Sequence, residues 1–168
     1  VNKTVNPRRA EEILVRPADA NDRAALLAFY AQFEPRPASL GLPPRTRVEG
    51  WLDRLISSPN FIALAEQTVV GHAVLCPEGE SGEVAVFVHQ DYRIQGIGRR
   101  LLSALVEQAR RLQLRRVWGM TDLDNIPMLR LAHSVGFVIG DDPSMFHMDL
   151  EIVSEPVMAA PSSPLPKR

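Results

Sequence analysis

The chain has 168 residues, 45% of them hydrophobic and 23% charged, with a net charge of −1. That length suits one domain with a sizeable core, and so small a charge offers no global field to recruit nucleic acid or an anionic membrane. Cys76 is the only cysteine, which excludes an internal disulfide and a metal site of several thiolates, so no metal is expected and a reduced, cytoplasmic setting is.

Residues 1–11 read as a flexible arm, and Val1 to Pro7 lack the apolar stretch of a secretory signal. A start at Val1 rather than Met suggests a trimmed chain or a piece of a longer one. The folded domain is expected over 12–153. Ile13-Leu14-Val15 is a short strand closed by Pro17. Asp19 can cap a helix, with Asp22 three residues on, and Leu26, Leu27, Tyr30 and Phe33 then make an apolar stripe at helical spacing. A second helix over Thr46 to Ile56 turns Val48, Trp51, Leu52 and Leu55 inward until Ser57-Ser58-Pro59-Asn60 stops it.

Phe61 to Ala65 and Val69 to Leu75 are β-rich runs joined at Glu66-Gln67, the pattern of an antiparallel hairpin, and Glu83 to Val88 is a third run. A strongly amphipathic helix begins near Gly98, with Leu101, Leu102, Leu105, Val106, Ala109 and Leu112 as its apolar stripe. Val117 to Met120 is another strand. Asp124 or Asn125 can cap a last helix that tolerates Pro127 in its first turn and ends at Gly136; Met145 to Leu150 alternates and closes the sheet. The tail 154–168, rich in Pro, Ser and Ala, is expected to be disordered. No apolar run approaches the roughly 18–20 residues of a membrane span. The order predicts a mixed α/β (α+β) domain.

The segment Arg93-Ile94-Gln95-Gly96-Ile97-Gly98 follows a strand and opens a helix. Backbone N–H groups at a helix start lack intrahelical partners, and the helix dipole favours negative charge there. Gly96 and Gly98 let the backbone approach phosphate oxygens, and Arg93, Arg99 or Arg100 can add charge-assisted bonds. Leu101 stands where a Rossmann fingerprint needs a third Gly or Ala, and no Gly-Lys-Ser/Thr follows as in a Walker loop.

The stretch Val86 to Leu102 resembles the cofactor-binding motif of the GNAT N-acetyltransferases, Gln/Arg-x-x-Gly-x-Gly/Ala, with Arg93, Gly96 and Gly98 in those places. Asn125 to Phe137 is similar to the family's fourth helix, which opens with Asn and ends at Gly-Phe. The resemblance covers roughly Ile13 to Glu151. It implies a mostly antiparallel, splayed sheet flanked by about four helices, with acetyl-CoA as co-substrate in a gap between the fourth and fifth strands. On this resemblance Val86, Phe87 and Val88 pair with the pantetheine amides, and Ile94, Gln95, Gly96, Ile97, Gly98 and Arg99 wrap the pyrophosphate. Asn125 contacts the pantetheine arm.

Acyl transfer to an amine requires removing an ammonium proton, stabilising an oxyanion and protonating the leaving thiolate. A backbone N–H near Val88 is the expected oxyanion donor. Glu83 is the candidate base, because Gly82 to Val88 resembles the Ala-Glu-x-Ala-x-x-Val stretch of Pat-type protein lysine acetyltransferases, where the Glu is the base. Pro127 to Ala132 resembles the same subgroup. Many family members carry a Tyr general acid seven residues after the helix-opening Asn, and Ala132 stands there. His72, His89, Tyr92, His133 and Cys76 read as structural or loop residues, and Trp51 and Trp118 as core. Glu34, Arg36, Arg45 and Arg47 fall where acceptors bind in this fold. The expected function is transfer of an acetyl group to a primary amine by direct attack, with protein lysine first and a small amine close behind. A non-catalytic acyl-CoA sensor or docking module is the alternative. Nucleic acid is not an expected partner, and a homodimer is left open.

Overall fold

The computed structural model describes residues 12–34 and 42–150. The expected arm over 1–11, Arg36 and the expected tail from 154 lie outside the described residues.

β1 (Ile13–Pro17) ends at a proline, which an edge strand tolerates. Asp19 then starts a capping box: its carboxylate accepts from the Asn21 N–H at 2.7 Å, and Asp22 Oδ2 accepts from the Asp19 N–H at 2.9 Å. The Asp22 carboxylate is also held by Arg16 at 2.7 and 2.8 Å, and that pairing keeps it below the usual carboxylate range. α1 (Arg23–Gln32) follows. Its buried face is Leu26, Phe29 and Tyr30, with Phe33 just past its end; Phe29 joins the expected stripe and Leu27 is only half-buried. α2 (Val48–Leu55) buries Val48 and Leu52, while Trp51 and Leu55 stay half-buried.

β2 (Asn60–Ala65), β3 (Thr68–Glu78) and β4 (Ser81–Val88) form an antiparallel meander. α3 (Ile97–Arg111) crosses over to β5 (Arg116–Met120), which pairs with β4 in parallel, as such a crossover requires. α4 (Ile126–Val135) leads to β6 (Val138–Ile139) and β7 (Met145–Asp149). β6 is a two-residue strand, too short for alternation to mark. The sheet order is β1-β2-β3-β4-β5-β7-β6, and every pairing except β4–β5 is antiparallel.

Each sheet face carries its own core. α3 and α4 cover one face, where Leu101, Leu102, Leu105 and Val106 meet Val84, Val117 and Phe146. Ile97 extends that stripe, and Leu112, expected inside, is 43% exposed because the helix stops at Arg111. α1 and α2 cover the other face around β2, β3 and β4.

Between α1 and that second face runs a buried polar chain. Asn60 Nδ2 donates to the Ser58 carbonyl at 2.7 Å, so Asn60 Oδ1 faces His72 Nε2 at 3.3 Å as an acceptor. His72 Nε2 therefore carries the proton, and Nδ1 accepts from the Tyr30 hydroxyl at 2.6 Å. His72 is 1% exposed, and burial pushes its pKa from 6.5 down to about 3. The unfolded chain thus binds a proton between those values that the folded chain refuses. Stability from this group is complete above pH 6.5 and is expected to fall by about 1.4 kcal/mol per unit as pH drops toward 3. Urea unfolding at pH 7, 5.5 and 4.5 should show a steeper acid loss for the wild type than for His72→Gln; parallel losses would contradict this.

Candidate active site

β4 runs beside β3 along its whole length but meets β5 only over Ser81–Glu83 against Arg116–Trp118. Past Glu83 and Trp118 the two parallel strands part and leave an opening bordered by the second half of β4. Which backbone groups face it follows from antiparallel alternation. The His89 N–H donates to Val70 O at 2.9 Å. Counting back from that pair, Phe87, Ala85 and Glu83 exchange bonds with β3, whereas the peptide groups of Val86 and Val88 point to the opening. This corrects one expectation. Phe87 gives its peptide groups to β3, and its ring is buried against Tyr30 at 5.6 Å and Phe33 at 5.7 Å. The opening belongs to Val86 and Val88.

The loop after β4 is tied to the end of α1. Gln90 Nε2 donates to Gln32 O at 3.0 Å, and Gln90 Oε1 accepts from the Glu34 N–H at 3.1 Å. Arg93 Nε donates to Val88 O at 3.1 Å, its second guanidinium nitrogen donates to Glu34 O, and the group lies 5.5 Å from the centre of the Phe33 ring. Arg93 therefore holds the loop's course with bonds to the chain itself, and burial lowers its pKa. Ile94 is fully exposed at φ +61, a left-handed conformation costly for a β-branched residue, on the order of 1–3 kcal/mol. Gln90 was not singled out by the sequence, because a loop glutamine carries no local signal.

Gly96 is left-handed at φ +78, immediately precedes α3, and supplies no side-chain hydrogen bond to the start of the helix. The first helical bond of α3 runs from the Arg100 N–H to Gly96 O at 3.1 Å, so the N–H groups of Ile97, Gly98 and Arg99 precede the helical ladder. A Cβ at Gly96 would meet nothing within 4 Å, so the loop there faces open space. Gly98 is small for a different reason: its absent Cβ would lie 2.9 Å from Leu131 Cδ2, where α3 passes α4. Arg99 is exposed, and Arg100 is committed to Ile13 O at 2.7 Å. Gln95 is exposed, and the Ile97 side chain is buried.

Asn125 caps α4, its Oδ1 accepting from the Met128 N–H at 3.3 Å. Ala132 is wholly buried in the core under α3, so the helix face where the family's Tyr would stand turns inward at that position. His133 is exposed, and His72 is buried in the polar chain described above. The Cys76 thiol is pushed up by partial burial and by nearby Glu83, the wrong direction for a nucleophile. Glu34 pairs with Arg45, and Arg47 is exposed.

Glu83 is exposed on the sheet face that α1 and α2 cover farther along, at the narrow end of the opening. Cross-strand pairing sets Cys76, Glu83, Trp118 and His147 in one row. Trp118 is half-buried and belongs to neither core cluster among the described residues, unlike Trp51, which packs edge-on to Tyr30 at 5.1 Å. Its expected placement in the core is therefore revised. Sequence alone could not separate the two tryptophans, because both sit at apolar positions of regular elements.

Among the described residues no helix is long and apolar enough to cross a membrane. The sequence profile of the acetyltransferase (GNAT) family matches residues 22–137. An L-methionine sulfoximine/L-methionine sulfone acetyltransferase of Salmonella typhimurium is 28% identical over 147 residues, covering 74% of this chain and 80% of that protein. An L-amino acid N-acyltransferase of Escherichia coli is 31% identical over 111 residues, covering 53% of this chain and 64% of that one. The GNAT domain of S. lividans PAT superposes with a TM-score of 0.70 at 18% identity, covering 81% of this chain and 89% of that domain, a likeness of fold.

Proposed function

Since this chain belongs to the acetyltransferase (GNAT) family and is an acyl-CoA-dependent N-acyltransferase, we propose that it moves an acetyl group from acetyl-CoA to the amine of a free amino acid or a similar small amine. The observation that carries this is the uncapped start of α3 beside the opening between β4 and β5. One element offers N–H groups to a pyrophosphate and the other offers strand amides to a pantetheine arm. The activities of the two relatives, on an amino-acid derivative and on L-amino acids, favour a small acceptor over the protein lysine that the sequence resemblance put first.

In this reading Ile97, Gly98 and Arg99 bind the pyrophosphate through the main chain, with Ile94, Gln95 and Gly96 shaping the loop and Arg93 holding it in place. Val86 and Val88 hold the pantetheine amides and the developing oxyanion, and Asn125 borders the pantetheine arm. Glu83 takes a proton from the acceptor's ammonium and frees the nitrogen lone pair. That nitrogen bonds to the thioester carbon, and the carbon–sulfur bond breaks with its electrons going to sulfur. The nitrogen's second proton and the one on Glu83 pass to solvent, from which the departing thiolate takes one. Solvent serves as the acid in this reading because the methyl side chain of Ala132 carries no proton to give.

The test incubates the full chain with acetyl-CoA and a panel of free amino acids, small amines and lysine-containing peptides, following thiol release and product mass. Release with free amino acids is expected to exceed release with peptides. Equal or greater transfer to peptide lysine would overturn the acceptor assignment.

A further inference from the structure

α1 and α2 cover the sheet face around β2, β3 and β4, and the same face of β5, β7 and β6 carries a different set of side chains. Trp118 pairs with His147 across β5 and β7, and Met120 pairs with Met145 one row nearer the opening. Met120 is 47% exposed; Trp118, Met145 and His147 are half-buried. Cross-strand neighbours on one face lie about 5 Å apart. Trp118 therefore stands directly beside Glu83, and the methionine pair beside Trp118, toward the side where the strands part. An indole and two thioethers form a polarizable apolar floor that adapts to unbranched or branched carbon chains.

We infer that Trp118, Met120 and Met145 form the subsite for the acceptor's side chain and select primary amines bearing a large apolar group, the methionine and leucine class. The inference rests on the proposed acetyl transfer with Glu83 as base and adds the acceptor's chemistry. Charge complementarity fixes the occupant's orientation: the ammonium sits at Glu83, and the apolar group extends over Trp118 toward the methionines. Beyond Trp118 the row continues through His147 to Val138 on β6. A chain of this kind gains the apolar contact, whereas glycine reaches only the carboxylate. Each methylene placed in such a subsite is worth roughly 10–200-fold in discrimination.

The experiment measures kcat/KM of the full chain for glycine, L-alanine, L-leucine and L-methionine at saturating acetyl-CoA, for the wild type, Trp118→Ala and Met120→Glu. Met120→Glu alters an exposed side chain without opening a core, so the test stands even if Trp118→Ala folds poorly. The wild type is expected to prefer leucine and methionine over glycine. Both variants should lose about 10–100-fold on the two large substrates and less than about threefold on glycine, with the KM for acetyl-CoA unchanged. Equal losses on all four amines, or a wild type indifferent to side-chain size, would overturn the subsite while leaving acetyl transfer intact. A wild type that acetylates no amine fails the proposed function instead. Sedimentation showing a dimer that Trp118→Ala dissolves, with amine preference unchanged, would assign the face to a second copy and also overturn the inference.

Discussion

Replacing Glu83 by Gln is expected to lower kcat/KM by about 10²–10⁴-fold at neutral pH while leaving acetyl-CoA affinity unaltered. The two effects separate because the groups lie at opposite ends of β4. Glu83 marks the narrow end of the opening, and the uncapped start of α3 follows the strand's other end. Raising the pH should restore part of the lost rate, since an amine that deprotonates in solvent no longer needs a base. Glu83 is exposed, so its change to Gln should move stability by no more than about 0.5 kcal/mol. Steady-state rates across pH, calorimetric titration with acetyl-CoA and a thermal melt read these three quantities. An unchanged rate at every pH removes Glu83 as the base, and a large fall in melting temperature would make its role structural.

The second large effect is structural and centres on Gly119. An added Cβ there would lie 2.4 and 2.7 Å from two atoms of the Phe146 ring and 3.0 Å from Val84 O. The ring cannot swing away easily, because Phe146 is 1% exposed and packs edge-on to Phe137 at 5.4 Å. Val84 O is strand backbone. Gly119 follows Trp118, the last β5 residue paired to β4, so it lets Phe146 fill the space beneath the sheet where the strands part. Gly119→Ala is expected to cost about 2–3 kcal/mol, and the melting temperature should drop by roughly 5–10 °C. Adding Phe146→Leu shortens the obstructing ring. The double variant should therefore cost less than the sum of the singles by at least about 0.5 kcal/mol in urea unfolding. Strict additivity would show that the two residues do not compete for one space.

Local signals carried most of the elements. Pro17 and the Asp19/Asp22 pair mark where β1 stops and where the short turn Ala20–Asp22 that leads into α1 starts, because a missing N–H and a capping carboxylate act within a few residues. Asn125 marks the start of α4 because its side chain caps the first turn, and the close-spaced glycines set the start of α3 near Gly98, one residue past its first residue, Ile97. The long stripe of α3 is legible because one helix face must be apolar throughout to be buried. The two-residue β6 and the end of α3 before Leu112 are not legible, since neither depends on a local pattern.

By itself, then, the sequence determined the order of the elements apart from β6, the glycine-bearing loop and the membership that its motifs imply, all of which rest on contacts among near neighbours in the chain. Only the tertiary structure decided which strand residues border the opening, because peptide direction depends on the partner across the sheet. It gave Phe87 to β3 and left Val86 and Val88 at the gap. Likewise it separated Trp51 from Trp118, since α1 and α2 cover one part of a sheet face whose other part carries Trp118 beside Glu83. Which side chains share a face across four strands is set by register between segments distant in sequence, and no single stretch of chain encodes it.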